Sequence, residues 1–316
     1  MQSRRPIRTA GDRSARPAAV QAARSCYHAR AEGLRPYSSH DAFMIPAISQ
    51  VCTLSAAFEA DIADYSAAAC KTVELWLGKL EAYLERHTVT DLRALLEEHG
   101  VTATVASYQG GLLTSQGDAR REHWDHFGRR LELCRAVGVE ILIVACDVHG
   151  PLSNEDLQRA NMSLAQAADR AAEFGIQLAL EFQARASLGN NLQTALAWVE
   201  QCGRPNLGIC LDVFHFQNGP SKLEDLALLS PERLLHVQFS DLSGVLRETA
   251  GDADRILPGD GDLSLAAVVS QLERLGYQRQ VSLELMNPTI YQIPPRQVAE
   301  VGMTALRKVL GQAAMQ

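Results

Sequence analysis

Four polar residues hold matching positions in four strand-like segments of the chain. They are Glu181 in "IQLALEF", Asp212 in "LGICLDVF", Gln238 in "LHVQFSD" and Glu284 in "QVSLELM". Successive side chains of a strand point to opposite faces, and in each segment the other face is apolar. The apolar face must pack on helices, so the four polar residues are predicted to point inward near the C-terminal ends of their strands.

This arrangement favours a metal site. Three carboxylates crowded together repel one another unless a cation neutralises them. Oxygen ligands from Glu, Asp and Gln suit Mn²⁺ or Mg²⁺ better than a tetrahedral zinc site. A single acid at a strand end is more often a helix cap or a loop anchor, but four oxygen ligands on consecutive strands favour metal. We therefore predict Glu181, Asp212, Gln238 and Glu284 as the ligands of a divalent ion.

Other polar residues near these strand ends have less defined roles. His215 lies beyond the end of its strand, which favours contact with a substrate. His236 lies one layer deeper than the nearby glutamine and is either a core histidine or a substrate contact. Glu74 is interpreted as facing the barrel interior, where it would be the partner of a buried ion pair. No functional role is assigned to it. Asp147 and His149 are weaker candidates at the rim.

Strand-like and helix-like segments alternate from Met44 to the end of the chain. The strand candidates are "IPAISQVC", "KTVELWL", "VTATVASY", "EILIVAC", "IQLALEF", "LGICLDVF", "LHVQFSD" and "QVSLELM". Eight βα units in about 270 residues predict an α/β fold, a single-domain (β/α)8 TIM barrel. A doubly wound sheet is the alternative, but no GxGxxG follows the first strand. Within the seventh strand, Leu235, Val237 and Phe239 are predicted to face the helices.

The first 43 residues differ in composition from the rest of the 316-residue chain. They contain eight arginines, no lysine and three acids. We interpret residues 1–43 as a basic disordered arm or a mis-set start, with a transit peptide as a third possibility. The barrel is assigned to residues 44–316. This barrel region has 22 basic and 34 acidic residues, which argues against a nucleic-acid partner.

Composition also limits the location of the protein. No apolar run approaches the eighteen or so residues that cross a membrane, so no membrane partner is expected. The seven cysteines show no CxxC pairing or metal-type spacing, and several lie in apolar runs. Reduced, buried thiols predict a cytoplasmic protein. A homo-oligomer is possible, because many barrels of this type associate.

The ordered motifs "LALEFQ", "LDVFHF", "HVQFSD", "LPGDGDL" and "LELMN" resemble the xylose-isomerase-like TIM-barrel superfamily of sugar isomerases and epimerases. The resemblance covers roughly residues 44–312. It implies the same four metal ligands, with a glutamine third ligand as in hydroxypyruvate isomerase and some lyases. It also implies a substrate contact for His215, the histidine of the DxxH motif. Ketose 3-epimerases often place a substrate-binding arginine after the third ligand, which here corresponds to Arg247 or Arg255.

The resemblance implies proton transfer beside a carbonyl through an enediolate. Glu181 and Glu284 would be the catalytic pair, one removing and one returning the proton. The outcome is isomerisation or epimerisation of a sugar or keto-sugar. The alternative is a dehydratase of the inosose or 3-dehydroshikimate type. A non-catalytic sugar-binding barrel is less favoured, because all four ligands are present. An endonuclease IV-like enzyme is less favoured, because the second and third strands lack the extra histidines that a site with several zinc ions needs.

The loop after the seventh strand predicts an unphosphorylated substrate. It reads "GDADRILPGDGDLSL" and contains four aspartates against the single Arg255. A phosphate dianion near such carboxylates is repelled by about 1–2 kcal/mol or more. Gly259 and Gly261 are therefore interpreted as turn residues rather than a phosphate cradle, and Asp262 is a candidate cap of the next helix.

Overall fold

A closed barrel of eight parallel strands forms the centre of the molecule, with the strands in sequence order. The computed structural model describes residues 44–313, so the predicted N-terminal arm lies outside the described residues. The strands are β1 (Ile45–Ser49), β2 (Thr72–Trp76), β3 (Thr102–Gln109), β4 (Ile141–Ala145), β5 (Gln177–Glu181), β6 (Leu207–Asp212), β7 (Leu234–Phe239) and β8 (Gln280–Leu283). The prediction of a single (β/α)8 barrel is confirmed.

Helices connect the strands and surround the barrel. They are α1 (Phe58–Ala67), α2 (Leu77–Leu84), α3 (Val89–Glu98), α4 (Gly117–Val137), α5 (Asn154–Glu173), α6 (Leu192–Cys202), α7 (Val213–Asn218), α8 (Leu265–Arg274) and α9 (Pro295–Val309). Short 3-10 turns lie at Gln50–Thr53, Leu223–Leu228, Asp252–Asp254 and Ile290–Gln292. None of the helices in the described part of the chain is long and apolar enough to cross a membrane.

Local sequence signals explain several helix ends. Thr88 and Ser153 each form a capping box with the aspartate three residues later, which satisfies the free N–H groups at the starts of α3 and α5. Gly138 and Gly203 end α4 and α6 in the left-handed conformation that glycine adopts without strain. After α1 the left-handed residue is Ala69, with φ 58°. This position carries the steric cost of a Cβ that glycine would avoid.

The alternating pattern of the strands separates two apolar regions. The larger one lies between the strands and the surrounding helices. A small cluster fills the barrel interior and consists of Val105, Ile141, Ile143, Ala179, Cys210 and Leu235. The prediction that Leu235 faces the helices is therefore wrong. The register between β6 and β7 shifts between Ile209 and Cys210, and this irregularity turns Leu235 inward.

The barrel closes by pairing its first strand with its last. Four residues of β1 pair in register with β8, from Ile45 with Gln280 to Ile48 with Leu283. The Cys52 thiol extends this seam beyond the strands by donating to the Leu283 carbonyl at 3.3 Å, and it accepts the N–H of Leu285 at 3.2 Å. Closure leaves no free strand edge and brings the C-terminal ends of all eight strands to one mouth.

Candidate active site

The four predicted ligands lie at this mouth. Glu181 and Asp212 are the last residues of β5 and β6, Gln238 is the penultimate residue of β7, and Glu284 directly follows β8. Their side chains are buried or nearly so, as expected for inward positions in a barrel. Active sites of TIM barrels form at this face, so the location is suitable for catalysis.

An acidic cluster with one imidazole forms between β5 and β6. Glu181, Asp212 and His215 each offer one ligand atom, and these atoms lie within 4.8 Å of one another. His215 Nε2 is 3.6 Å from Asp212 Oδ2 and 3.8 Å from Glu181 Oε1. Asp212 caps α7 by accepting the Phe214 N–H at 2.8 Å, which places His215 one helical turn above the carboxylate.

Arg255 is buried among these acids. Its Nη2 donates to Asp212 Oδ2 at 2.8 Å, and its Nη1 donates to Glu284 Oε2 at 3.1 Å. The guanidinium also lies 4.2 Å from the ring centroid of Phe214, within the range of a cation–π contact. The sequence left Arg247 and Arg255 as alternatives for the substrate-binding arginine, and Arg255 is the one that contacts the acids directly. Arg247 is exposed and lines a cavity at the mouth.

A buried polar layer supports Gln238 from below. Glu74 Oε2 accepts from His236 Nε2 at 2.8 Å, and Glu74 Oε1 accepts from Gln238 Nε2 at 3.1 Å. The same Gln238 amide nitrogen donates to Glu284 at 3.0 Å, while its Oε1 accepts from the Cys210 thiol at 3.0 Å. Glu74 therefore fixes the orientation of the Gln238 amide, because a reversed amide would place its oxygen against a carboxylate.

The protonation states of the acids follow from burial and from their charged neighbours. Burial, together with the charge of Asp212, raises the pKa of Glu181 to about 8. Burial also raises the pKa of Glu284 well above its ordinary value, although Arg255 opposes this. For Asp212, burial is outweighed by Arg255 and His215, and its pKa falls. Two of the acids thus hold protons easily while the third stays ionised.

The residues fit a divalent cation by the chemistry of their donors. Four carboxylates lie at or just below the mouth, those of Glu74, Asp212 and Glu284 buried and that of Glu181 13% exposed, and Arg255 is the buried guanidinium among them. Once Glu181 and Glu284 lose their protons, the carboxylates outnumber the guanidinium, and a bound cation stabilises such a site. Carboxylate oxygens with one imidazole within reach are ligands that Mn²⁺ and Mg²⁺ accept.

The loop after β7 is organised around a buried aspartate. Asp241 accepts the N–H groups of Leu242 and Leu263 through Oδ1, at 2.9 and 3.0 Å, and that of Gly259 through Oδ2 at 2.9 Å. Backbone N–H groups that an anion would need are thus already bonded to a carboxylate. Asp262 does not cap α8, contrary to the sequence interpretation: the cap residue is Ser264, whose N–H donates to Gln217 at 2.7 Å.

Two features were not predicted from the sequence. One is the contact of Glu74 with Gln238, which joins residues 164 positions apart and leaves no local signal. The other is Asn218, whose amide oxygen and nitrogen are both buried without a partner among residues 44–313. Asn218 comes three residues after His215 and six after Asp212, a spacing that places all three on one side of a helix. The spacing is visible in the sequence, but a helix was not predicted at this point.

Comparison with known proteins gives the same fold. An inosose isomerase of Bacillus velezensis is 25% identical over 242 residues, which cover 76% of this chain and 86% of that protein. A 3-dehydroshikimate dehydratase of Pseudomonas putida is 25% identical over 195 residues, covering 60% of this chain and 30% of that protein. The crystal structure of the IolI protein with a bound zinc atom superposes with a TM-score of 0.80 at 22% identity, over 85% of this chain and 99% of that one.

The family assignment rests on a longer match. The sequence model of the xylose isomerase-like TIM barrel family matches residues 62–309, a range that includes β2 to β8 and every acid of the cluster. This range agrees with the closed barrel and with the motifs of its last four strands. The chain belongs to the xylose isomerase-like TIM barrel family.

Proposed function

We propose that the protein is a divalent-metal-dependent isomerase or epimerase that moves a proton beside the carbonyl of a sugar or keto-sugar. The observation that carries this proposal is the convergence of Glu181, Asp212 and His215 within 4.8 Å at the barrel mouth. The family and the isomerase activity named for the Bacillus velezensis relative support the same class of reaction.

Glu181 and Glu284 are the proposed proton-transfer groups. Without a metal ion, burial raises the pKa of Glu181 to about 8, and a bound cation would lower it again and leave a carboxylate that can accept a proton. Glu181 lies at the end of β5 and Glu284 follows β8, three strands further round the barrel. The two carboxyl groups therefore reach a substrate from different sides. Removal of a proton by one and its return by the other gives epimerisation or isomerisation.

Glu181, Asp212, Gln238 and Glu284 would hold the metal ion, which when bound would polarise the substrate carbonyl and offset the charge of the acids. Glu74 accepts from His236 and from Gln238, and the Gln238 oxygen accepts from the Cys210 thiol, so Gln238 would bind the ion by turning this oxygen towards it. The zinc atom of the IolI structure belongs to a protein of the same fold. Mn²⁺ or Mg²⁺ is the ion that the oxygen-rich donor set favours here.

The substrate contacts are proposed from position. His215 and Arg255 reach the cluster itself, whereas Arg247 lies at the cavity rim, where it contacts the distal part of a substrate. His236 is fully buried and bonded to Glu74, so a substrate would reach it only through the layer above. We assign His236 chiefly to holding that layer in place.

An unphosphorylated substrate is favoured by the loop after β7. Asp241 occupies the N–H groups of Leu242, Gly259 and Leu263, and its charge would repel a phosphate dianion brought to the same loop.

The six cysteines of residues 44–313 are unpaired and buried, which agrees with the cytoplasmic location expected from the sequence.

Dehydration of a keto-sugar is the second candidate. The same proton removal followed by loss of a β-hydroxyl gives a lyase, and a 3-dehydroshikimate dehydratase is among the relatives. The two reactions share the acid cluster and differ in which substrate atom leaves.

The test is a screen of ketoses, inososes and 3-keto-sugars with Mn²⁺ in deuterated water, followed by NMR. We expect an isomer or epimer that takes up deuterium beside the carbonyl, and no product from Glu181→Gln. An unsaturated product would select the dehydratase. Product without deuterium uptake, or full activity after exhaustive chelation, would overturn the proposed mechanism.

A further inference from the structure

A cavity of about 320 Å³ opens beside the acid cluster. Its walls come from the segments that follow β4, β5, β6 and β7 at the mouth of the barrel. The residues used below are Arg185, His215, Asn218, Arg247, Glu248 and Asp252. Ligand pockets range from roughly 300 to 1,000 Å³, and a volume at the lower end suits one small ring.

One side of α7 leads from the acid cluster into this cavity. Asp212, His215 and Asn218 follow one another at intervals of three residues, which places them as neighbours along the helix surface. Asp212 and His215 belong to the cluster, and His215 and Asn218 line the cavity. A molecule that fills the cavity therefore contacts the cluster at one end and Asn218 at the other.

Asn218 has unused hydrogen-bonding capacity. Its Nδ2 and its Oδ1 are both buried and have no partner in residues 44–313, and the same holds for His215 Nδ1. A buried polar group without a partner costs about 1–3 kcal/mol, so a ligand that bonds these three atoms gains affinity from each of them. One amide supplies a donor and an acceptor side by side, which matches two hydroxyl groups on adjacent carbons.

The charges around the cavity balance. Arg247, Glu248 and Asp252 line the wall, and Asp252 accepts from Arg255 Nη2 at 2.9 Å. Arg185, also in the lining, donates through Nη2 to the carbonyls of Thr249 and Ala250 at 2.9 and 2.6 Å. The cavity thus has two basic and two acidic side chains apart from its histidines. A neutral ligand rich in hydroxyl groups fits such a wall better than an anion does.

We propose that Asn218, together with His215 Nδ1, forms a subsite that binds adjacent hydroxyl groups of a neutral polyol or cyclic polyol substrate, away from the carbons that react. This subsite rests on the proposed function and specifies its substrate class. It makes Asn218 a specificity-determining residue, because a substrate without these hydroxyls leaves the amide atoms unpaired.

The probe is myo-inositol, a cyclic polyol without a carbonyl that cannot react. Its binding to the Mn²⁺-loaded full chain is measured by calorimetry for wild type, Asn218→Leu and Asn218→Ala. Loss of two neutral hydrogen bonds should weaken binding about ten- to hundredfold. The Mn²⁺ affinity should stay within about twofold, because Asn218 does not contact the acid cluster. Gln201→Leu, on the exposed face of α6, is the control and should change neither affinity.

Each outcome supports or overturns the subsite. Unchanged inositol affinity in both Asn218 variants overturns it and means that Asn218 binds only water. No inositol binding to wild type overturns it as well, whatever the activity on keto-sugars. Inositol binding that depends on Asn218, without turnover of any keto-sugar, supports the subsite and contradicts the proposed function. If Asn218→Leu fails to fold, the smaller Asn218→Ala provides the same comparison.

Discussion

Replacement of Glu181 by glutamine should change how the stability of the metal-free protein depends on pH. The folded protein raises the pKa of this carboxyl from 4.5 to about 8, so the folded state binds the proton more tightly than the unfolded state does. Stability is therefore highest below pH 4.5 for this group and falls as the pH rises towards 8. Glutamine keeps the shape of the side chain and removes the titration.

The size of the effect follows from the pKa difference. A difference of one in pKa corresponds to about 1.4 kcal/mol, so wild type should lose about 3 kcal/mol between pH 4.5 and 7 through this group. Above pH 8 the loss should level off near 5 kcal/mol. The free energy of unfolding of Glu181→Gln minus that of wild type should grow by up to about 1.4 kcal/mol per pH unit between pH 5.5 and 7, and by about half of that at pH 8.

Urea unfolding in EDTA at pH 5, 6, 7, 8 and 9, followed by circular dichroism, measures this difference. Glu200→Gln, at an exposed position of α6, is the matched control and should run parallel to wild type. If the curves of Glu181→Gln and wild type are also parallel, the carboxyl is not held in a proton-binding environment, and the assignment of Glu181 as the proton-transfer group loses its physical basis.

Three further predictions test other parts of the molecule. Binding of Mn²⁺ at pH 7 should release between one and two protons, because Glu181 and Glu284 both have raised pKa values and both must lose their protons to bind the ion. Calorimetry in buffers of different ionisation enthalpy measures this, and zero release contradicts it. Glu74→Gln should weaken Mn²⁺ binding about 10- to 100-fold by removing a buried negative charge and the acceptor of Gln238 and His236, whereas Ser282→Ala, which keeps the charge of that layer, should have a smaller effect. Ala69→Gly should raise the free energy of unfolding by about 1 kcal/mol by relieving the left-handed conformation, and Ala68→Gly, at φ −86°, should not; equal urea midpoints for the two variants would refute the explanation.

The fold and the location of the acids could be predicted from the sequence because both depend on local patterns. The period of two in β5, β6 and β8 is enough to turn Glu181, Asp212 and Glu284 inward. The rhythm of strands and helices is enough to bring their ends to one mouth. No knowledge of contacts between distant residues is needed for either inference.

The errors and open questions arise where distant segments meet. Leu235 is misplaced because the register shift that turns it depends on the neighbouring strand. The choice between Arg247 and Arg255 stays open in the sequence because the loop folds back through a bridge between Asp241 and Ile256, which draws Arg255 inward. Asn218 is missed because the apolar run before it is read as a strand, whereas a helix begins at Val213.

The seam between β1 and β8 has a consequence for the way the protein is made. It joins Cys52 to Leu283, 231 positions later in the chain. At 5–20 residues per second, synthesis of the intervening chain takes roughly 10–50 s, during which the edge of β1 has no partner. Glu74 likewise emerges long before Gln238, so the charged layer beneath the mouth stays unpaired on the nascent chain. Closure of the barrel must therefore wait for β8, and the yield of the protein in a cell should depend on how well chaperones protect the unfinished sheet.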